Sequence, residues 1–195
     1  MSQEAQEKEI KEMWFKNHIA KIREHEGITI LDWREPGTNL YSVRYIFASN
    51  RLYISGDLGD AIFDLTWLAT PQSFEDINLG YLMGKLSCSS RRKYYFSERK
   101  AIRELKEWYS EAIFDCCDGD KKEILEAYQT IKEIIKGSSD CKEYERELFN
   151  YYQETSFDYL DSEIFSMFND FGKRLSNVFN AYLLGIKMAH KQISS

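Results

Sequence analysis

The sequence predicts an α+β fold: a small antiparallel β-meander over about residues 28–67, packed on a mainly helical bundle over 73–193. Two patterns and one count support this. Along 41–48, Tyr41, Val43, Tyr45 and Phe47 alternate with Ser42, Arg44, Ile46 and Ala48, the period of two of a half-buried strand, between short strand-like runs at 28–33, 52–55 and 61–67. From Ser73 onward the apolar residues recur at helical spacing, with capping signals at the breaks. Only 2 prolines and 10 glycines interrupt 195 residues, which favours long regular elements. That length predicts one domain, 1–195, and is too short for two large ones. A composition of 43% hydrophobic and 15% aromatic residues provides for a packed core and excludes wholesale disorder.

In chain order, residues 3–26 are predicted to be a helix, because Ile10, Met13, Trp14, Ile19 and Ile22 fall mostly at helical spacing. Gly27 is its expected stop. Strands follow over 28–33, 41–48 and 52–55, separated by the Pro36-Gly37 turn and by a reversal at Ser49-Asn50. Gly56-Asp57-Leu58-Gly59-Asp60 makes a sharp bend, and 61–67 is a candidate fourth strand. Ser73 with Asp76 resembles a capping box for a helix to about Leu86, and 87–93 reads as a polar, basic loop. Ser97, Asp120 and Asp140 open three further helices. The last helix starts near Asp161 or Gly172 and ends near Ile193. Its stripe of Ala181, Gly185 and Ala189 predicts close approach of another helix in a bundle or across a dimer seam.

The net charge of −6 hides a division. Lys85 to Lys106 holds eight bases against two acids, and Asp140 to Glu163 holds eight acids against two bases. Either run can be a solvated helix face, or a surface for a partner of opposite charge. The polar, acidic start lacks the pattern of a signal peptide, and the longest apolar stretch, Ala181 to Ala189, is half a membrane span. A soluble, cytoplasmic protein is expected. The four cysteines lack C-x-x-C spacing and read as reduced thiols. His18 and His25 lie two turns apart on the predicted helix, too far to share a metal ion, and read as surface or edge histidines. No cofactor is expected.

Three sets of residues could carry function. Asp57, Asp60 and Asp64 are close enough in sequence to hold a divalent ion for phosphodiester cleavage. The competing reading is that Asp57 locks its turn by accepting backbone N–H bonds. Arg91, Arg92, Lys93 and Tyr94, within 91–96, interleave bases with rings in the manner of a nucleic-acid contact. Glu143, Glu147, Tyr151, Tyr152, Glu154 and Asp158 form an acidic, tyrosine-rich stretch suited to a protein partner rich in Arg and Lys.

Tyr45-Ile46-Phe47 and the run Leu52 to Phe63, with its Gly56-Asp57-Leu58-Gly59, resemble a region of small proteins encoded by phages and other mobile elements. Asn78 to Leu86, Tyr95 to Ala101 and Leu184 to Ala189 are similar to later stretches of the same proteins. Some mobile-element proteins of this size are anti-CRISPR proteins, so the resemblance implies an inhibitor of a host-defence nuclease. It carries over no catalytic residues. The favoured expectation is a non-enzymatic protein, acting in the host cytoplasm, that binds a CRISPR effector nuclease. Its contacts would be the acidic stretch and a second patch of Tyr53, Asp57 and Asp60. The alternatives are a metal-dependent nuclease acting on guide RNA or DNA through Asp57, Asp60 and Asp64, and a nucleic-acid-binding regulator using 91–96.

Overall fold

The computed structural model describes residues 3–117, 119–155 and 161–195. In chain order the elements are α1 (Gln3–Glu9), a π-helical turn (Ile10–Trp14), β1 (Ile19–His25), β2 (Ile28–Arg34), β3 (Val43–Ala48), β4 (Arg51–Gly56) and β5 (Ala61–Asp64). A 3-10 turn (Gln72–Phe74), α2 (Leu79–Met83), β6 (Leu86–Ser89) and β7 (Tyr94–Phe96) follow. Then come α3 (Glu98–Asp115), α4 (Lys121–Gly137), α5 (Cys141–Glu154), α6 (Ser162–Phe168), β8 (Lys173–Leu175) and α7 (Asn177–Ile193). The α+β class stands. Two compact units are distinguished: the chain up to Lys93 together with Ser176–Ser195, and Tyr94–Leu175.

The first unit is built on an antiparallel meander in the order β1-β2-β3-β4-β5-β6. Alternation in β2 to β5 sends Leu31, Trp33, Val43, Tyr45, Phe47, Leu52, Ile54, Ala61 and Phe63 to one buried face. Helix α7 lies against β1, β2 and β3 on that side. The closest approach is at Gly185, where an added Cβ would run into the Tyr45 hydroxyl and stand 3.2 Å from Trp33 Cδ1. Two buried hydroxyls fasten the layers: Tyr45 donates to the Tyr182 carbonyl at 3.0 Å, and Tyr182 donates to the Leu58 carbonyl at 3.1 Å.

The other sheet face carries Ile30, Ile46, Tyr53 and Ile62 in one cross-strand row. Beside it Asp32 accepts from Arg44 at 2.6 Å and Arg23 at 2.7 Å. Burial alone would raise the Asp32 pKa, but the Arg44 hydrogen bond and the charges of Arg44 and Arg23 outweigh it and hold the carboxyl below its ordinary value.

The predicted helix over 3–26 ends at Trp14, and residues 19–25 form β1 instead. This edge strand pairs over its full length with β2, from Ile19↔Arg34 to His25↔Ile28. The Glu26-Gly27 link has φ of 47° and 81°, the left-handed geometry of a two-residue hairpin turn. Gly27 is therefore a turn residue, not a helix stop. The meander accordingly extends to 19–89 rather than 28–67. The helix predicted over 73–86 shrinks to a 3-10 turn and the five residues of α2, and part of the predicted 87–93 loop is strand β6. The bundle predicted over 73–193 is divided. Helix α7, predicted to pack in a bundle or at a dimer seam, covers the sheet, and Ala181, Gly185 and Ala189 are all buried.

The second unit packs α3, α4, α5 and α6 around Leu105, Trp108, Ile124, Ile131, Tyr144, Leu148, Phe165 and Phe168. The β7–β8 ribbon belongs to the same unit. Ser97 caps α3 by accepting from Lys100 N, and Asp140 caps α5 by accepting from Lys142 N and Glu143 N. Tyr144 is buried, stacks on Phe96 and donates to the Phe168 carbonyl at 2.9 Å. Its burial pushes the phenol pKa well above the usual range.

Gly185→Ala places a methyl group where α7 meets Tyr45. It should lower stability by about 1–3 kcal/mol, read as a lower urea midpoint with unchanged helical content.

Candidate functional site

The Gly56 to Asp60 bend is a cradle for one arginine. Gly56 has φ of 145°, and a Cβ there would strike the Ser42 carbonyl. Gly59 has φ of 104°, and a Cβ there would come within 2.8 Å of the Arg91 side chain. The backbone thus closes around Arg91, whose Nε donates to the Leu58 carbonyl and Nη2 to the Asp57 carbonyl, each at 3.0 Å. Asp57 Oδ2 accepts from Tyr41 N at 2.8 Å. Tyr41 has φ of 55°, stacks on Trp14 with centroids 4.9 Å apart, and its carbonyl lies 3.2 Å from His18 Nε2. Arg91, the loop, Asp57, Tyr41 and His18 are therefore one linked series.

This geometry corrects two expectations. Asp57, Asp60 and Asp64 do not form a metal centre. Asp57 locks Tyr41, Asp60 is exposed beside Ser90, and Asp64 pairs with Arg51 at 2.8 Å. Among the described residues no group of three or more His, Cys, Asp or Glu side chains could hold a metal ion. Nor is His18 a surface histidine. It is 4% exposed, and with β1 formed it shares no helix face with His25. Burial lowers its pKa, more than the Tyr41 hydrogen bond and the Glu35 charge raise it.

The basic run is not one patch. Arg91 is committed to the bend, and Lys85 sits over the Tyr81 ring. Lys100 donates to the Lys173 carbonyl at 2.6 Å and pairs with Glu104 at 3.2 Å. Arg91, Arg92 and Lys93 belong to the first unit and Tyr94 to the second, where it is 41% exposed on β7. Tyr53 is half-exposed on the open sheet face between Ile46 and Ile62.

The acidic stretch resolves into separate roles. Tyr144 is sealed in the core, and Tyr151 and Tyr152 are half-buried against Phe165, so they present no continuous aromatic surface. Phe149 is 60% exposed. Glu145 turns to Lys173 at 3.0 Å, Glu154 is exposed, and Asp158 lies outside the described residues. Glu143 and Glu147, one turn apart on α5, line a groove against α4 together with Glu133, Thr130 and Ile134. The groove is shallow and open to solvent, with a volume of about 640 Å³. Glu143 accepts from Ser139 N and Oγ at 2.8 and 2.7 Å, and these bonds hold its carboxyl below the ordinary value. Glu133 pairs with Lys136 at 2.8 Å and Glu147 with Arg146 at 2.9 Å. Sequence reasoning missed Glu133. Its one signal is a carboxylate on the exposed side of an amphipathic helix.

The unit Tyr94–Leu175 has 19 acids and 12 bases, a net −7, so the rest of the chain carries +1. No protein-family model, curated protein or solved structure matches the chain. No helix among the described residues is long and apolar enough to cross a membrane.

His18 gives a pH prediction. Its folded pKa lies below the ordinary 6.5, so the unfolded chain takes up the proton first. Stability should be full at pH 7 and fall as the pH drops below about 6.5. Thermal melts at half-unit steps should show this slope in the wild type and a flatter one in His18→Gln. Asp32, with a lowered carboxyl pKa, acts in a separate window: its contribution is present above 3.8 and is lost as the pH falls through its lowered value.

Proposed function

We propose that this is a non-enzymatic binding protein whose helical unit docks on a cationic surface of another protein. The reading rests on the convergence of Glu133, Glu143 and Glu147, from two helices, on one groove in the unit that holds the negative charge. Lys or Arg side chains of the partner enter the groove over Ile134. The pairs of Glu133 with Lys136 and Glu147 with Arg146 are exposed, and such pairs are worth little, so exchanging them for a partner's cations costs little. Charge of one sign on one unit also speeds and orients encounter.

A CRISPR effector nuclease is the partner proposed, because its guide and target strands lie in a positively charged channel. Occupying that channel would exclude nucleic acid without breaking a covalent bond, and would take place in the host cytoplasm. The resemblance of the Gly56 to Gly59 segment and its flanks to mobile-element proteins supports the same direction.

The test uses Glu133→Gln with Glu147→Gln, leaving Glu143 in place because it is bonded to Ser139. Affinity for an effector captured by the wild-type protein should fall about tenfold, mainly through slower association at low salt. An unchanged association rate in a folded double variant removes the groove from the mechanism. If the wild-type protein at stoichiometric amounts leaves target cleavage intact across a panel of effectors, the partner is not of this class.

A further inference from the structure

The first unit contains a second concavity, of about 730 Å³, between α7, the π-helical turn with the residues that follow it, and the end of β2. Its apolar lining includes Phe15, Leu184 and Met188. Lys16, Lys187 and Lys191 line it as well, and none of the three has a carboxylate partner among the described residues. Lys11, the fourth lysine there, pairs with Glu7 at 3.3 Å.

His18 and Trp33 also line this cleft. They are 4% and 2% exposed, and their rings are tilted with centroids 5.5 Å apart. Each has a buried polar atom with no hydrogen-bond partner: Nδ1 of His18 and Nε1 of Trp33. An orphaned buried polar group is costly, and two side by side are costlier. Their chemistry is complementary. The Tyr41 carbonyl can only accept, so Nε2 of His18 carries the proton. Burial keeps the ring neutral, which leaves Nδ1 an acceptor. The indole nitrogen can only donate. A hydroxyl group, of a ligand or of water, can serve both, because it accepts from an indole N–H and donates to an imidazole nitrogen.

We propose that this cleft binds a small hydroxylated organic anion, with its hydroxyl between His18 and Trp33, its apolar body on Phe15, Leu184 and Met188, and its charge among Lys16, Lys187 and Lys191. The volume suits a metabolite-sized ligand, and apolar walls with a few convergent polar groups are the usual construction of such sites. The site lies in the first unit, whereas the acidic groove lies in the second, so the inference does not depend on the proposed docking surface.

The full chain, labelled with ¹⁵N, is titrated with 4-hydroxybenzoate, 4-hydroxyphenyl phosphate, benzoate and phenol. The Trp33 indole N–H resonance is followed, and is assigned by its loss in Trp33→Phe or, if that variant does not fold, by its contacts to α7. Saturable movement of that resonance with either hydroxylated anion is expected, and the tighter of the two tells carboxylate from phosphate. Benzoate, lacking the hydroxyl, and phenol, lacking the charge, should each bind about tenfold more weakly. Lys187→Gln with Lys191→Gln, both at the rim, should weaken the hydroxylated anions about tenfold and leave phenol unchanged. If no probe moves the Trp33 resonance, or if phenol binds as tightly as the hydroxylated anions, the proposal is overturned. Equal affinity of the lysine variant and the wild type for the anions overturns it as well.

Discussion

The first unit depends on covering one face of a six-stranded sheet. Leu31, Trp33, Tyr45, Phe47, Leu52 and Phe63 form too large an apolar surface to leave in water, and the strands cannot cover it themselves. Helix α7 supplies the cover from more than eighty residues further along the chain. Its approach is limited by Gly185, where the Tyr45 and Trp33 rings meet the helix backbone. The Tyr45 and Tyr182 hydroxyls then satisfy buried carbonyls at the same seam. Position 185 thus sets the distance between layers, and hydrophobic burial and hydrogen bonding both follow from it.

The elements legible in the sequence are those set by neighbours along the chain. Ser97 and Asp140 were readable as caps because a cap acts within three residues. The alternation of β3 was readable because that strand has a buried and an open face, and β2, β4 and β5 were readable as short strand-like runs beside turn residues. Strand β1 was not. It is an edge strand whose side chains are mostly exposed, so it shows no alternation, and Ile19 and Ile22 happen to stand three apart as they would on a helix. The stripe of Ala181, Gly185 and Ala189 was visible, but small residues signal close approach without saying whether to a helix or to a sheet.

The candidate sites follow the same division. The acids at Glu143 and Glu147 were legible, and so was the turn-locking role of Asp57 as one of three readings. The partner of each was not. Glu133 comes from a separate helix, and Arg91 reaches the bend from 32 positions beyond Gly59. A run of bases in sequence says nothing of where each side chain is directed. Lys85, Arg91 and Lys100 each turn to a different neighbour within their own unit. Net charge is more robust, because it sums over a unit whatever the side chains do. The −7 of Tyr94–Leu175 against the +1 of the remainder is the firmest electrostatic property of the chain.

The helical unit is inserted between β6 and α7. The residues on either side of it are joined by the Ser176 N–H donating to the Lys93 carbonyl at 3.0 Å. This imposes an order of events during synthesis. The sheet strands leave the ribosome first yet lack their cover until residues 177–193 have been made, while the inserted helices can close on one another beforehand. A nascent chain stalled before α7 would therefore expose the greasy side of its sheet to chaperones and to other nascent chains, although its helical part was already complete.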